Sequence, residues 1–516
     1  MTFFWSITAL VFPGCGAYAI ARAGSRCLPD RPATIVLRLC LAVGMGFGGS
    51  ACTYFLWRVL FDGPRNMYVA LDSILWLVIA LTLTFGKLAH MPVFWRRESH
   101  SIWEPKWSDL LSLREPAHFM GRTAHPGPFP LDRVALDRPV TWLFSVVLAV
   151  AAFGIIGETL ARPYGGWDAW GIWNLRARFL FRLGYDWRKG FTAAFAHVDY
   201  PLLVPATVAR WWTYLGSDPL WVSAAVGIAF TAITVAAVVS GVSLQRGRNQ
   251  GLLAGMVLLG TVRFLRWGAA QYSDVPLAFF FLTALLLLVL HDEQRRHAAA
   301  QPDEPRRSPA GLIFLAGLAA GLAAWTKNEG LLFCVVLLTA RAATVFIQHG
   351  WRRSLTECLG LAAGAAPILA VVVLHKLQIP QRNDMVNSLG TAETMHKILD
   401  PVRFQTILGA FASGGLQLLT AFAVVIPLCF LLLGRYRDDS GRRDGPSLSV
   451  SVLGLMLAGY FGVYLTTPHD LGWHLSTSLD RLLVQIWPMA VWAVFMHLQS
   501  LDAVWRPRII NGPPAS

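Results

Sequence analysis

Asp168 is the only acid in RPYGGWDAWGIWNLRARFLFR (162–182), where it stands among Trp167, Trp170 and Trp173 and ahead of Arg176, Arg178 and Arg182. Tryptophan and arginine suit a membrane interface by themselves. The carboxylate needs another reason. Aromatic rings strip water from a carboxylate, and partial desolvation suits a general base. Four further motifs collect ionisable groups: AHVDYP with His197 and Asp199, QYSDVP with Asp274, WTKNEG with Lys327, Asn328 and Glu329, and PHDLGWHLSTSLDR with His469, Asp470, His474, Asp480 and Arg481. Asp199 and Asp274 each lie just ahead of a proline. Such an acid can cap a helix start, order acceptor hydroxyls, or hold a divalent cation through hard oxygen ligands. Lys327 in a tight turn can snorkel or meet a lipid phosphate, with Glu329 to hold it. Arg481 is a natural bidentate phosphate partner, and His474 offers a further donor. An arginine opening a span opposes the helix dipole, which a bound anion would offset.

The elements that must position these residues are membrane spans. The 516 residues are 55% hydrophobic and only 14% charged, against about 25% charged in soluble domains. A net charge of +14 lies in short loops flanking apolar runs, which points to a positive inner face and away from nucleic acid. Seven cysteines show no metal-like spacing, and no disulfide framework or zinc site is expected. Taking about 20 residues per span, thirteen apolar stretches lie near 1–20, 36–58, 67–89, 139–160, 219–243, 251–267, 271–291, 310–326, 330–348, 356–375, 407–433, 448–466 and 481–499. The expected fold is therefore an all-α polytopic bundle. Three leading spans (1–90) read as an appendage, followed by a cytosolic linker (91–138), a main unit (139–499) and a cytosolic tail (500–516). The arginine-bearing loops at 246–248, 295–296, 306–307, 352–353 and 435–443 fall on one side by parity. With that side cytosolic, the N-terminus lies outside and the acids and bases named above gather at the outer face. In the first outer loop (161–218), Ile172, Leu175, Phe179 and Leu183 would form the apolar face of an interfacial helix, and 200–218 reads as interfacial or re-entrant.

In order along the chain, GWDAW, YSDVPLAFF, GLAAGLAAWTKNEGLL and DRLLVQIWP resemble motifs of the GT-C glycosyltransferases. The resemblance is to the bacterial branch similar to aminoarabinose transferases and rhizobial lipopolysaccharide transferases, and to protein mannosyltransferase-like enzymes. It implies a GT-C-like helical bundle in the bacterial cytoplasmic membrane. It also implies sugar transfer from a polyprenyl-phosphate donor to a hydroxyl of a glycolipid or protein at the outer face. Asp168 would be the base, with Asp199 and Asp274 assisting. Lys327, Arg481, His474 and Arg178 would meet the lipid phosphate, and Trp167, Trp170, Trp173 and Glu329 the sugar or acceptor. Ala169 stands where the family carries a second acid; no cofactor is specified, and a divalent cation is left open. A transporter or flippase of a lipid-linked or anionic substrate is the rival reading, and it calls for polar residues through the middle of the spans.

Overall fold

A computed structural model describes residues 2–85, 137–192, 194–301, 307–379, 392–419, 422–436 and 444–501; most of the linker and the tail lie outside them. The described chain is helical, because in hydrocarbon each backbone N–H and C=O must find its partner within the segment. The helices are α1 (Thr2–Gly24), α2 (Pro32–Leu60), α3 (Arg65–Phe85), α4 (Asp137–Ala161), α5 (Asn174–Arg182), α6 (Leu203–Leu215), α7 (Trp221–Arg246), α8 (Arg248–Leu259), α9 (Val262–Ala269), α10 (Asp274–Ala300), α11 (Ala310–Thr326), α12 (Asn328–His349), α13 (Trp351–Gln378), α14 (Ala392–Leu399), α15 (Pro401–Leu419), α16 (Phe422–Leu433), α17 (Asp444–Thr466) and α18 (Leu471–His497). Ten of these are long and apolar enough to cross a membrane. This is a multi-pass helical membrane protein.

Three of the thirteen expected spans take other forms. The 251–267 run is split into α8 and α9, bent by 68°, because α9 carries Arg263, Arg266 and Trp267 and turns them toward the polar end of the bundle. α11 has 17 residues, somewhat short for a crossing. The 407–433 run appears as α15 and α16, with 420–421 between them undescribed. The last span also begins earlier than expected, at Leu471, where the Asp470 carboxylate accepts the Trp473 N–H at 2.7 Å. Arg481 therefore lies well inside a capped helix, and the anticipated clash with a helix start does not arise.

α10 is the hub. Its apolar window is wholly buried, and it packs against α2, α7, α11, α12, α17 and α18. α4 sits at the rim against α8 and α9, with Leu143, Val146, Val150 and Phe153 exposed as a lipid-facing stripe. The leading spans are no appendage. α2 packs on α6 and α7, and Arg210 of α6 ties the unit together by donating to Asp72 of α3 at 2.5 Å and to the Ala9 carbonyl of α1 at 2.7 Å. α6 is buried along nearly its whole length. Its 13 residues span only about 20 Å, too little to cross.

Candidate active site

The site forms where segment ends meet at one end of the bundle. Gly166 starts it. Its N–H bonds the Ala270 carbonyl at 3.0 Å, and a Cβ there would lie 2.6 Å from the Tyr272 hydroxyl, so only glycine lets the 162–168 turn dock onto the 270–272 turn. The Asp168 N–H then donates to the Tyr272 hydroxyl at 3.0 Å. Gln271 holds both sides of this junction, donating to the Pro163 carbonyl at 3.1 Å and accepting from Asn174 at 2.9 Å. In this way the turn carrying Asp168 is fixed beside the first residue of α10, Asp274.

After Asp168 the chain makes a π-helical turn, Ala169–Trp173, before α5. An inserted residue rotates everything beyond it, and such turns recur at functional sites. The rotation changes the expected face: Trp173, Asn174, Arg176, Ala177 and Leu180 are buried, while Leu183 is exposed. α5 packs on α6 and does not lie as an interfacial amphipathic helix. Arg176 donates to the Ala196 carbonyl at 2.9 Å and also to that of His197, pinning the loop that carries Asp199. Burial pushes the Arg176 guanidinium down to about 10. Burial and neighbouring Arg176 push the His197 imidazole below its ordinary value, and its ring stacks on Tyr200 with centroids 4.7 Å apart.

Asp274 is fully buried, and its carboxylate does not cap α10. One oxygen accepts from Lys327 at 2.9 Å and from Gln485 at 2.6 Å; the other accepts from Arg481 at 3.1 Å. Lys327 also reaches Glu329 at 2.8 Å, and Gln485 reaches Glu329 at 3.3 Å. Lys327 and Gln485 thus bridge the same two carboxylates. Tyr460 donates to the Gln485 carbonyl at 2.7 Å, which keeps the amide N–H groups on the acids. Arg481 completes the set by donating to Asp168 at 2.6 Å, with its guanidinium over the Tyr272 ring at 4.8 Å. The Asp168 and Glu329 side chains keep 18% and 19% of their exposure, so these two carboxylates, unlike Asp274, are open to a ligand.

Asp199 lies in an adjoining cluster. It accepts from Asn328 at 2.8 Å and from Lys376 at 3.3 Å. His474 is two turns above Arg481 on α18, about 10 Å along the axis, and is bonded to Thr467 at 2.9 Å. Arg178 is elsewhere: it pairs with Asp218 at 3.5 Å and sits over Trp212. Trp173 is buried against Tyr200 with ring centroids 5.7 Å apart and has no open face for a sugar. Trp167 and Trp170 are exposed and meet edge to face.

A cavity of about 170 Å³ adjoins the site, lined by Glu158, Arg162, Trp167, Arg266, Trp267 and Tyr272 among others. It opens between the C-terminal end of α4 and α9, at the rim of the bundle, with Tyr272 and Trp267 between it and Arg481. No family model, curated protein or solved structure matches this chain. Each carboxylate of the site already meets a cationic or amide donor, a donor set that leaves little for a divalent ion. Among the described residues, the grouping with metal-like spacing is His291, Asp292 and Glu357 near the opposite end, and the Arg341 guanidinium occupies it.

Proposed function

We propose that this protein transfers a sugar from a polyprenyl-phosphate carrier to an acceptor hydroxyl of a glycolipid or protein at the outer face of a bacterial cytoplasmic membrane, in a GT-C-like manner. One observation carries the reading: the buried Asp274 carboxylate holds Lys327 on one oxygen and Arg481 on the other, beside the accessible carboxylate of Asp168. Two cations fixed side by side, with N–H groups to spare on each, suit a phosphate. A carboxylate next to them suits a base.

In this mechanism the donor phosphate takes up the spare donors of Lys327 and Arg481, drawing the guanidinium charge away from Asp168. Asp168 then accepts the acceptor hydroxyl proton as the oxygen attacks the anomeric carbon. The bond from that carbon to the phosphate oxygen breaks, and polyprenyl phosphate leaves with the electron pair. A single displacement inverts the anomeric centre. The cavity between α4 and α9 supplies a lateral approach for a lipid headgroup. The transporter reading is less well supported, because α10 is apolar from Val275 to Leu290 except for Thr283.

The test is to supply purified protein with polyprenyl-phosphate sugars and a membrane lipid extract, and to follow free polyprenyl phosphate by mass spectrometry. Acceptor-dependent release that Asp168→Asn abolishes is expected. Release by the Asn variant at the wild-type rate would remove the proposed base.

A further inference from the structure

At the end of the bundle opposite Asp168, α1 and α11 touch backbone to backbone. A Cβ on Gly311 would lie 2.4 Å from the Gly24 carbonyl oxygen, and one on Gly24 would lie 3.1 Å from the Gly311 carbonyl oxygen. Glycine on both sides allows this approach, and it brings Arg22 and Arg26, which flank Gly24, beside Arg307 just ahead of α11. The turn after α1 is firmly held. The Ser25 N–H bonds the Ala21 carbonyl and the Leu28 N–H bonds the Ser25 carbonyl, each at 3.0 Å. Arg38 of α2 donates to the Ser25 hydroxyl at 2.9 Å, to its carbonyl at 3.1 Å and to Asp30 at 2.5 Å.

Asp30 is thus committed to Arg38, and none of Arg22, Arg26 and Arg307 has a carboxylate partner among the described residues. Burial, then the charges of Arg307 and Arg22, hold the Arg26 guanidinium below its ordinary value. Arg26 on this held turn, Arg22 in the last turn of α1 and Arg307 just ahead of α11 gather positive charge that suits an anion. Their place says which kind: they sit where a span ends, at headgroup level, and Phe314 one turn into α11 is exposed, so acyl chain and phosphate are both matched. We propose that Arg22, Arg26 and Arg307 bind the headgroup phosphate of an anionic phospholipid, a site separate from the one built on Asp168.

Native mass spectrometry of the full chain, loaded with phosphatidylglycerol or phosphatidylcholine, tests this independently of any sugar transfer. Wild type retains phosphatidylglycerol in preference. The triple variant Arg22→Gln, Arg26→Gln, Arg307→Gln loses that preference by about a hundredfold, at about 1 kcal/mol for each cation near an anionic headgroup. The triple lysine variant keeps most of it, which a purely structural role for arginine would not predict. Arg26→Gln alone reports if the triple variant does not fold, with a loss of about fivefold. Unchanged preference in the glutamine variants, or displacement of the lipid by an equal concentration of inorganic phosphate, would overturn the proposal.

Discussion

An arginine is wedged among carboxylates toward both ends of the bundle, and the two arrangements differ in what they leave within reach of a ligand. Arg341 of α12 is bidentate on Asp292 at 2.7 and 2.6 Å and meets Glu357 at 2.5 Å. Arg295 and Arg353 each reach the other oxygen of Glu357 at 3.0 Å. These groups belong to continuous spans, α10, α12 and α13, and Arg341, Asp292 and Glu357 are buried. The result is a closed clamp on three helices. Arg481, by contrast, spends one N–H on Asp168 and one on Asp274, and its neighbours come from a docked turn, a helix start and a helical hairpin. Neither guanidinium uses all five of its N–H groups; Arg341 is sealed at 2% exposure, whereas Arg481 and Asp168 keep 14% and 18% of theirs and can be reached by a ligand. The same residue types make a staple at one end and a binding site at the other.

Mutations should separate the two. The largest effect is expected for Asp168→Asn, which should lower sugar transfer by about 10²- to 10⁴-fold, while Asp292→Asn leaves the turnover of folded protein unchanged in the same assay. Next, Arg341→Leu removes one partner of a buried network and should destabilise the fold by about 3–5 kcal/mol, read as thermal unfolding in detergent, without moving KM. Gln485→Leu should be milder: buried Asp274 and Glu329 lose a shared donor, which should destabilise the fold by about 1–3 kcal/mol, read as thermal unfolding in detergent, with a rise in donor KM as Asp274 holds Lys327 and Arg481 less firmly. The smallest effects belong to Arg178→Gln and Trp170→Ala, each within about 0.5 kcal/mol of wild-type stability, with Arg178→Gln leaving lipid retention unaltered because Arg178 is paired with Asp218.

The class of molecule and the motifs that meet at the site are legible in the sequence, since apolar length marks ten of the thirteen expected spans and parity sends Asp168, Asp274, Lys327, Glu329 and Arg481 to one end. What is not legible depends on register and on partners distant in sequence. The π turn after Asp168 shifts the face of α5, so a regular 3.6-residue period assigns the wrong buried residues. Arg178 finds Asp218 only through the folding of α5 against α6. Gln485 had a signal, a polar residue four positions after Arg481 inside an apolar span, but its role needs Tyr460 from another helix to orient it. The break at Gly260 and Thr261 hides inside a run whose summed hydropathy suffices for a span. The Asp72–Arg210 link, which joins the leading spans to the rest, comes from residues that look unremarkable in their own segments.

Lys327 and Arg481, held by Asp274, are proposed as a lipid-phosphate clamp beside a base that is not needed for binding. Native mass spectrometry of wild type, Arg481→Ala and Asp168→Asn, each loaded with polyprenyl phosphate, tests it directly. Retention by wild type and Asp168→Asn is expected, with a loss of about tenfold or more in Arg481→Ala. Equal retention by all three proteins, or none by wild type, would rule out the clamp.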